Sequence, residues 1–206
     1  MKTLLQPALA LSLALAITAC AHTGGGGVTD PSAPRALEAE GPVTVEWDDP
    51  AGFTEIRTSF NRHEASRGNW VQELAEHLRD GIQARIGEGE RVHVRITDID
   101  RAGDFEPGRG PDLDHVRIMR DIHWPRMSLE FQHHDAAGAL INSGSRELSD
   151  PAYLSSQLHL PRTDPLRYEK TMTDRWLHQE FGPVLSISAP RPGSACGAGT
   201  GRARRG

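Results

Sequence analysis

The sequence predicts an α+β fold: a single domain in the order strand-helix-strand-strand-strand-helix, with a mainly antiparallel sheet and both helices on one face. Three observations predict it. Apolar residues alternate with polar ones over 43–47, 91–99 and 115–131, as in half-buried strands. Over 70–86 and 168–181 they recur instead at three- and four-residue intervals, the spacing of a helix with one buried stripe. No internal repeat interrupts the run from Val43 to Ala189, and its length suits one domain.

Val43, Val45 and Trp47 alternate with Thr44 and Glu46, and Asp48-Asp49-Pro50 ends this first strand. Trp70, Val71, Leu74, Leu78, Ile82 and Ile86 then share one helix face, with Asn69 as the expected cap and Gly87 as the stop. Trp70 reads as core. Gly81, inside this helix, costs about 1 kcal/mol relative to Ala unless close packing requires it. A second strand covers Arg91 to Ile99, with Val92, Val94 and Ile96 on one side and Arg91, His93 and Arg95 on the other.

From His115 onward Val116, Ile118, Ile122 and Trp124 fall at even positions, whereas beyond Pro125 the residues Met127, Leu129 and Phe131 fall at odd ones. Side chains alternate with a period of two, so this change of parity predicts a bent or broken strand at Trp124-Pro125-Arg126. Asp135-Ala136-Ala137-Gly138 predicts a hairpin turn into a weaker strand, Ala139 to Leu148, near a sheet edge. Asp164-Pro165 predicts the cap and first turn of a second helix running through Phe181, with Tyr168, Met172 and Trp176 four apart. Gly182-Pro183 ends it.

The flanks are different in kind. After Met1-Lys2, an uncharged apolar run reaches Ala19, shorter than the roughly 20 residues a membrane-spanning helix needs, and no stop-transfer pattern follows. Residues 1–19 therefore read as a signal peptide. It ends in Ile17-Thr18-Ala19-Cys20, which resembles the bacterial lipoprotein box. That resemblance implies a diacylglyceryl thioether on Cys20, cleavage after Ala19 and acylation of the new amino terminus. Several chains are needed, because one acyl chain binds membrane only marginally. Ala21, which is not Asp, implies sorting to the outer membrane, facing the periplasm. Residues 20–42 carry Gly24 to Gly27, Pro31, Pro34 and Pro42 and read as a flexible tether. As a coil it would span about 26 Å end to end. The Gly- and Arg-rich segment 190–206 reads as a disordered tail.

Removing the leader takes Lys2 with it, leaving 22 Lys plus Arg against 28 Asp plus Glu, a net charge of −6. Nucleic acid is excluded as an expected partner. With Cys20 lipidated, Cys196 has no partner within the chain, so no structural disulfide is expected.

Three stretches point to a known family: Thr97-Asp98-Ile99-Asp100-Arg101-Ala102-Gly103-Asp104-Phe105-Glu106-Pro107, Val116 to Arg126, and Asp164-Pro165-Leu166-Arg167-Tyr168-Glu169-Lys170. Together they resemble the bacterial domain-of-unknown-function family catalogued as number three thousand and sixteen, over roughly Val43 to Gly182. The resemblance implies a secreted or envelope protein and transfers no activity and no catalytic residues.

The densest acidic run, Asp98, Asp100, Asp104 and Glu106, is the one candidate for a divalent-cation site. Aligned to a calcium loop, Asp98, Asp100 and Gly103 fall at positions one, three and six. Ala102 and Arg109 then stand where ligands are required, so the expectation is no metal and no cofactor. The competing reading has these carboxylates cap backbone amides or pair with Arg101, Arg109 and Arg117. His133-His134 are strand neighbours that point to opposite faces, and His63-Glu64 lacks the second histidine of a zinc-protease helix. Gly197-x-Gly199-x-Gly201 has neither a strand before it nor a helix after it. No nucleophile elbow occurs, and the only candidate thiol, Cys196, lies in the tail.

The sequence thus predicts a non-enzymatic lipoprotein, joined to the membrane through Cys20, that binds an envelope protein through an exposed strand edge or the 97–126 region. The alternatives are a divalent-metal-binding protein or a hydrolase using Asp98 to Glu106. Changing Cys20 to Ser is expected to release the protein from membranes and to abolish labelling by a palmitate analogue. Membrane association that persists without labelling would rule out the anchor.

Overall fold

In the computed structural model, residues 27–108, 110, 112–155 and 160–185 are described. The expected signal peptide, Cys20, Cys196 and the arginines of the tail lie outside them. The sheet has the order β1-β2-β5-β6, from β1 (Val43–Trp47), β2 (Arg91–Asp100), β5 (Arg126–His134) and β6 (Leu140–Ser149). Its pairings are antiparallel except for β1 with β2. Those two are parallel because a helical crossover joins them: α1 (Thr54–Thr58), α2 (Arg62–Ser66) and α3 (Trp70–Gln83). A last helix, α4 (Arg167–Phe181), packs beside α3 on the same face of the sheet. A two-stranded ribbon, β3 (Asp104–Phe105) with β4 (Arg117–Ile118), stands apart from the main sheet.

The core forms where the two helices cover the sheet. Val45, Val94, Ile96, Leu129 and Phe131 face Leu74, Leu78, Ile82, Met172 and Leu177, all buried. Each such side chain contributes roughly 1.5–3 kcal/mol when removed from water. Phe131, Trp176 and Phe181 meet edge to face with ring centroids 5.7–6.0 Å apart. Trp70 is core as expected, and its Nε1 donates to Ala65 O at 3.0 Å. The opposite face carries a ladder of exposed charges, in which Arg95 lies 2.7 Å from Asp48 and 3.7 Å from Glu130.

Several local expectations need correction. The segment 115–124 does not form a strand beyond Arg117–Ile118; the chain turns at 121–123 and re-enters the sheet at Arg126, so the predicted discontinuity is a break. Proline cannot donate to the ladder, which explains why Pro125 sits just outside β5. Asn69 makes no side-chain cap, and α3 stops at Gln83, before Gly87. Asp164 stands three residues before the first residue of α4, ahead of the cap position at Leu166: its carboxylate accepts from Leu166 N at 2.7 Å and from Lys170 Nζ at 2.8 Å. Part of the segment expected to be a tether is packed on the domain. Val28 is buried and donates to Ser66 O, while Leu37 N donates to Val45 O and Trp47 N to Arg35 O, so residues 35–37 cover the free edge of β1.

Gly81 shows why one glycine stands inside α3. A Cβ there would run into Cδ1 of Leu177, a fully buried side chain, so the residue sets how closely α3 and α4 approach. Gly81→Ala is expected to lower the urea unfolding midpoint by the equivalent of about 1–3 kcal/mol, the usual cost of overpacking, despite the better helix propensity of Ala. Adding Leu177→Ala should then cost less than it does in the parent chain. Strict additivity of the two changes would show that the contact does not set the spacing.

Candidate functional site

A bulge in β2 decides which way the acidic run faces. Ile96 lies opposite Leu129 and Asp98 opposite Ser128, leaving Thr97 as the extra residue. Parity changes there, so Ile99 takes the buried position that alternation from Val92, Val94 and Ile96 would assign to Asp98. Asp98 and Asp100 are turned half-buried to the other face.

Each acid then meets its own partner. Asp98 accepts from both the backbone N and the Oγ1 of Thr54 at 2.6 Å, fastening the start of α1 to β2. Asp104 accepts from Phe105 N at 2.7 Å and Ser59 Oγ at 3.2 Å. Glu106 pairs with Arg120 across the ribbon. Asp100 is held least tightly, with Arg126 at 3.8 Å. Burial, and after it the charge of Glu55, pushes the Asp100 carboxyl up to about 6, against the pull of Arg126. The run therefore behaves mainly as amide caps and separate ion pairs. Among the described residues, no three His, Cys, Asp or Glu side chains come together as a metal-holding group. Arg109, which falls at the last calcium-loop position, lies outside the described residues.

Behind the run lies a charged network in which two acids were not apparent from the sequence. Glu55 on α1 is 3% exposed and forms an ion pair with Arg117. Its Oε2 also accepts from Arg101 N at 3.0 Å. Arg117 donates to Gly103 O at 2.7 Å and lies over the Phe105 ring, 4.7 Å from its centroid. Glu169 on α4 is 1% exposed, and its Oε1 accepts from Ala102 N at 2.7 Å. Burial pushes the Glu169 carboxyl above its ordinary value, opposed by Arg101. Removing one member of such a buried pair typically costs 3–5 kcal/mol, because the survivor is left unmatched.

Glu169 did carry a signal. Met172, Thr173 and Trp176 follow it at i+3, i+4 and i+7, which places an acid on the buried stripe of α4. Glu55 carried none, since α1 is too short for periodicity. Gly103 is required where the network meets the ribbon: its φ is +73°, and a Cβ would lie 2.7 Å from Ile118 O. Of the expected arginine partners, Arg117 pairs with Glu55 instead of the acidic run, and Arg101 pairs with no member of it.

These elements enclose a cavity of about 290 Å³ lined by Glu55, Phe60, Asp100, Arg101, Ile122 and Trp124, among others. Asp104 lines it too, whereas Asp98 opens with Asp100 into a neighbouring groove and Glu106 into a separate pocket beside Phe105. The molecule is thus an α+β domain whose helices pack on a mostly antiparallel sheet, with one corner held by buried Glu–Arg contacts. Residues 41–179 match the family model described as "Protein of unknown function (DUF3016)", and the chain belongs to that family. No curated protein and no solved structure matches it.

The raised Asp100 has a thermodynamic consequence. Its proton is bound more tightly in the folded than in the unfolded chain, so its contribution to stability declines as pH rises from about 4 to about 6. Asp100→Asn is therefore expected to stabilise the protein at pH 7 by roughly 1–3 kcal/mol, a gain that disappears below about pH 4. Urea midpoints of both proteins at pH 7, 5.5 and 4 measure this. A lower midpoint for the variant at pH 7 would show that the Arg126 contact outweighs burial.

Proposed function

We propose that this chain is a bacterial envelope lipoprotein, anchored through Cys20 in the outer membrane and facing the periplasm, whose domain binds another envelope component. The 97–126 region, with α1 beside it, is the binding face. The observation that carries this reading is the placement of Phe60 and Ile122. They are 70% and 61% exposed, yet both line the cavity that holds Asp100 and Arg101. Exposed apolar residues around buried polar groups suit ligand or partner binding. The acidic residues favour binding over catalysis because Asp98, Asp104 and Glu106 are each occupied with holding the fold. With the chain packed on the domain from Gly27 onward, an anchor at Cys20 would keep the domain close to the membrane.

One observation favours a second reading, a hydrolase. Asp100, raised to about 6, could serve as a general acid. Two measurements separate the readings. The purified chain is expected to show no hydrolysis of esters, phosphoesters or glycosides that is lost in Asp100→Asn. A photo-crosslinking residue at position 122 in intact envelopes is expected to give one discrete adduct that the same residue at exposed Glu130, on the charged face of the sheet, does not. Turnover that depends on Asp100 would replace the binding reading with the hydrolase.

A further inference from the structure

The cavity of about 290 Å³ does not stand alone. Asp100, Trp124 and Arg126 line both it and the neighbouring groove of about 390 Å³, so the two form one continuous depression. Asp104 lines the first part, Asp98 and Glu147 the second, and Asp100 the junction. Against these acids stands the guanidinium of Arg126. Arg101 adds to the lining, but its guanidinium rests on the Trp70 ring, 5.4 Å from the centroid, and Trp70 lines neither part. Among the described residues, Asp98 and Asp104 accept only from neutral donors, and Arg126 lies 3.8 Å from Asp100. Such bonds satisfy the oxygens and leave the charges in place. Burial first, then the charges of Glu55, Asp98 and Asp104, raise the Asp100 carboxyl, opposed by Arg126, as a net negative field requires.

Carboxylates strung along a depression suit several cations on one chain better than a single ion. Guanidinium groups suit them best, because the planar fork takes two carboxylate oxygens and its face stacks on aromatic rings. Phe60 is exposed and Trp124 half-buried there, and Arg126 already lies over Trp124, 4.5 Å from the ring centroid.

The chain itself carries such a segment. Beyond Pro190, outside the described residues, Arg191, Arg202, Arg204 and Arg205 occur with no acid, among Gly, Ala and Ser residues small enough to follow a groove. Leu185 N donates to Ala84 O, so this segment sets out from the C-terminal end of α3. The depression lies toward the other end of α3, where Trp70 carries the Arg101 guanidinium. The 14 residues of α3 measure about 21 Å at 1.5 Å each. A Gly-rich coil of 17 residues, the separation from Ser186 to Arg202, has a typical end-to-end distance of about 23 Å. Effective concentration is greatest when linker and span match, and is of millimolar order for short linkers. A site with a Kd of about 1 mM for the free segment is then half filled.

We propose that Arg202, Arg204 and Arg205 dock in this depression of their own chain, their guanidinium groups against Asp98, Asp100 and Asp104 and their stems along Phe60 and Ile122. The docked segment covers the face to which a partner binds, and the partner must displace it. That regulatory role rests on reading the 97–126 region as a binding face; the docking does not.

A photo-crosslinking residue at position 203 of the full chain in detergent tests the docking. It is expected to give an adduct within one chain, mapped by mass spectrometry to residues 58–60 or 122–126. Changing Arg202, Arg204 and Arg205 together to Gln should reduce that adduct several-fold without moving the unfolding midpoint, as should raised salt. Calorimetric titration of the triple-Gln chain with the free peptide Gly-Arg-Ala-Arg-Arg-Gly should show one-to-one binding, several-fold tighter than to the parent chain, whose own segment competes. No adduct, adducts elsewhere, a covalent dimer through the segment of a second copy, or an equal yield from the triple-Gln chain overturns the proposal. The envelope adduct from position 122 should increase in the triple-Gln chain. That adduct without one from position 203 discards the docking and retains the binding face, whereas the reverse retains the docking and discards its regulatory role.

Discussion

Glu55 and Arg117 come from segments far apart in the chain, and their meeting in the interior holds one corner of the molecule together. A carboxylate that is 3% exposed cannot stand alone, since the desolvation penalty amounts to several kcal/mol. Arg117 answers it, and the same guanidinium reaches Gly103 O, so the β3–β4 ribbon is fastened to α1. Glu55 also takes the Arg101 amide, and Glu169 takes the next one, that of Ala102. Two consecutive amides leaving β2 are therefore received by acids from two different helices. The backbone needs partners there because it has left the sheet and is enclosed.

The Thr97 bulge is the second constraint, and it works with the first. Without the extra residue, Asp98 would point into the apolar layer beside Ile96, and the acids beyond it would be displaced in turn. With it, Ile99 fills the core and Asp98 turns outward to fasten Thr54. Fixing α1 in this way brings Glu55 and Phe60 to the cavity that Asp100 and Arg101 also line. The cavity follows from how β2 ends.

The two free sides of the sheet are treated differently. Residues 35–37 cover the outer edge of β1, whereas among the described residues β6 has no neighbour beyond it. Near the hairpin, a second irregularity leaves both Leu140 and Ile141 exposed. Inside β6, Asn142 and Arg146 reach Glu180 on α4, so polar contacts tie that strand to the helix layer. Gly, Ser and charged residues along β6 blunt an edge that would otherwise invite pairing with another strand.

The sequence by itself determined the periodic elements: the alternation in β1, β2 and β5, the stripes of α3 and α4, the turn at Asp135 to Gly138, and the discontinuity at Pro125. These are legible because side-chain direction in a strand or helix repeats at a known interval, so neighbours in sequence report the buried face. It also raised the question of Gly81, which the contact with Leu177 answers. Tertiary structure alone decided the site. Whether Asp98 faces in or out depends on one bulged residue, and bulges carry no periodic signature. The partners of Arg101 and Arg117 were misjudged because proximity in sequence suggested the acidic run, while Glu55 and Glu169 arrive from 46 and 67 residues away from the amides they receive. Burial transforms such groups from solvated charges into structural ones, and burial is a property of the folded chain.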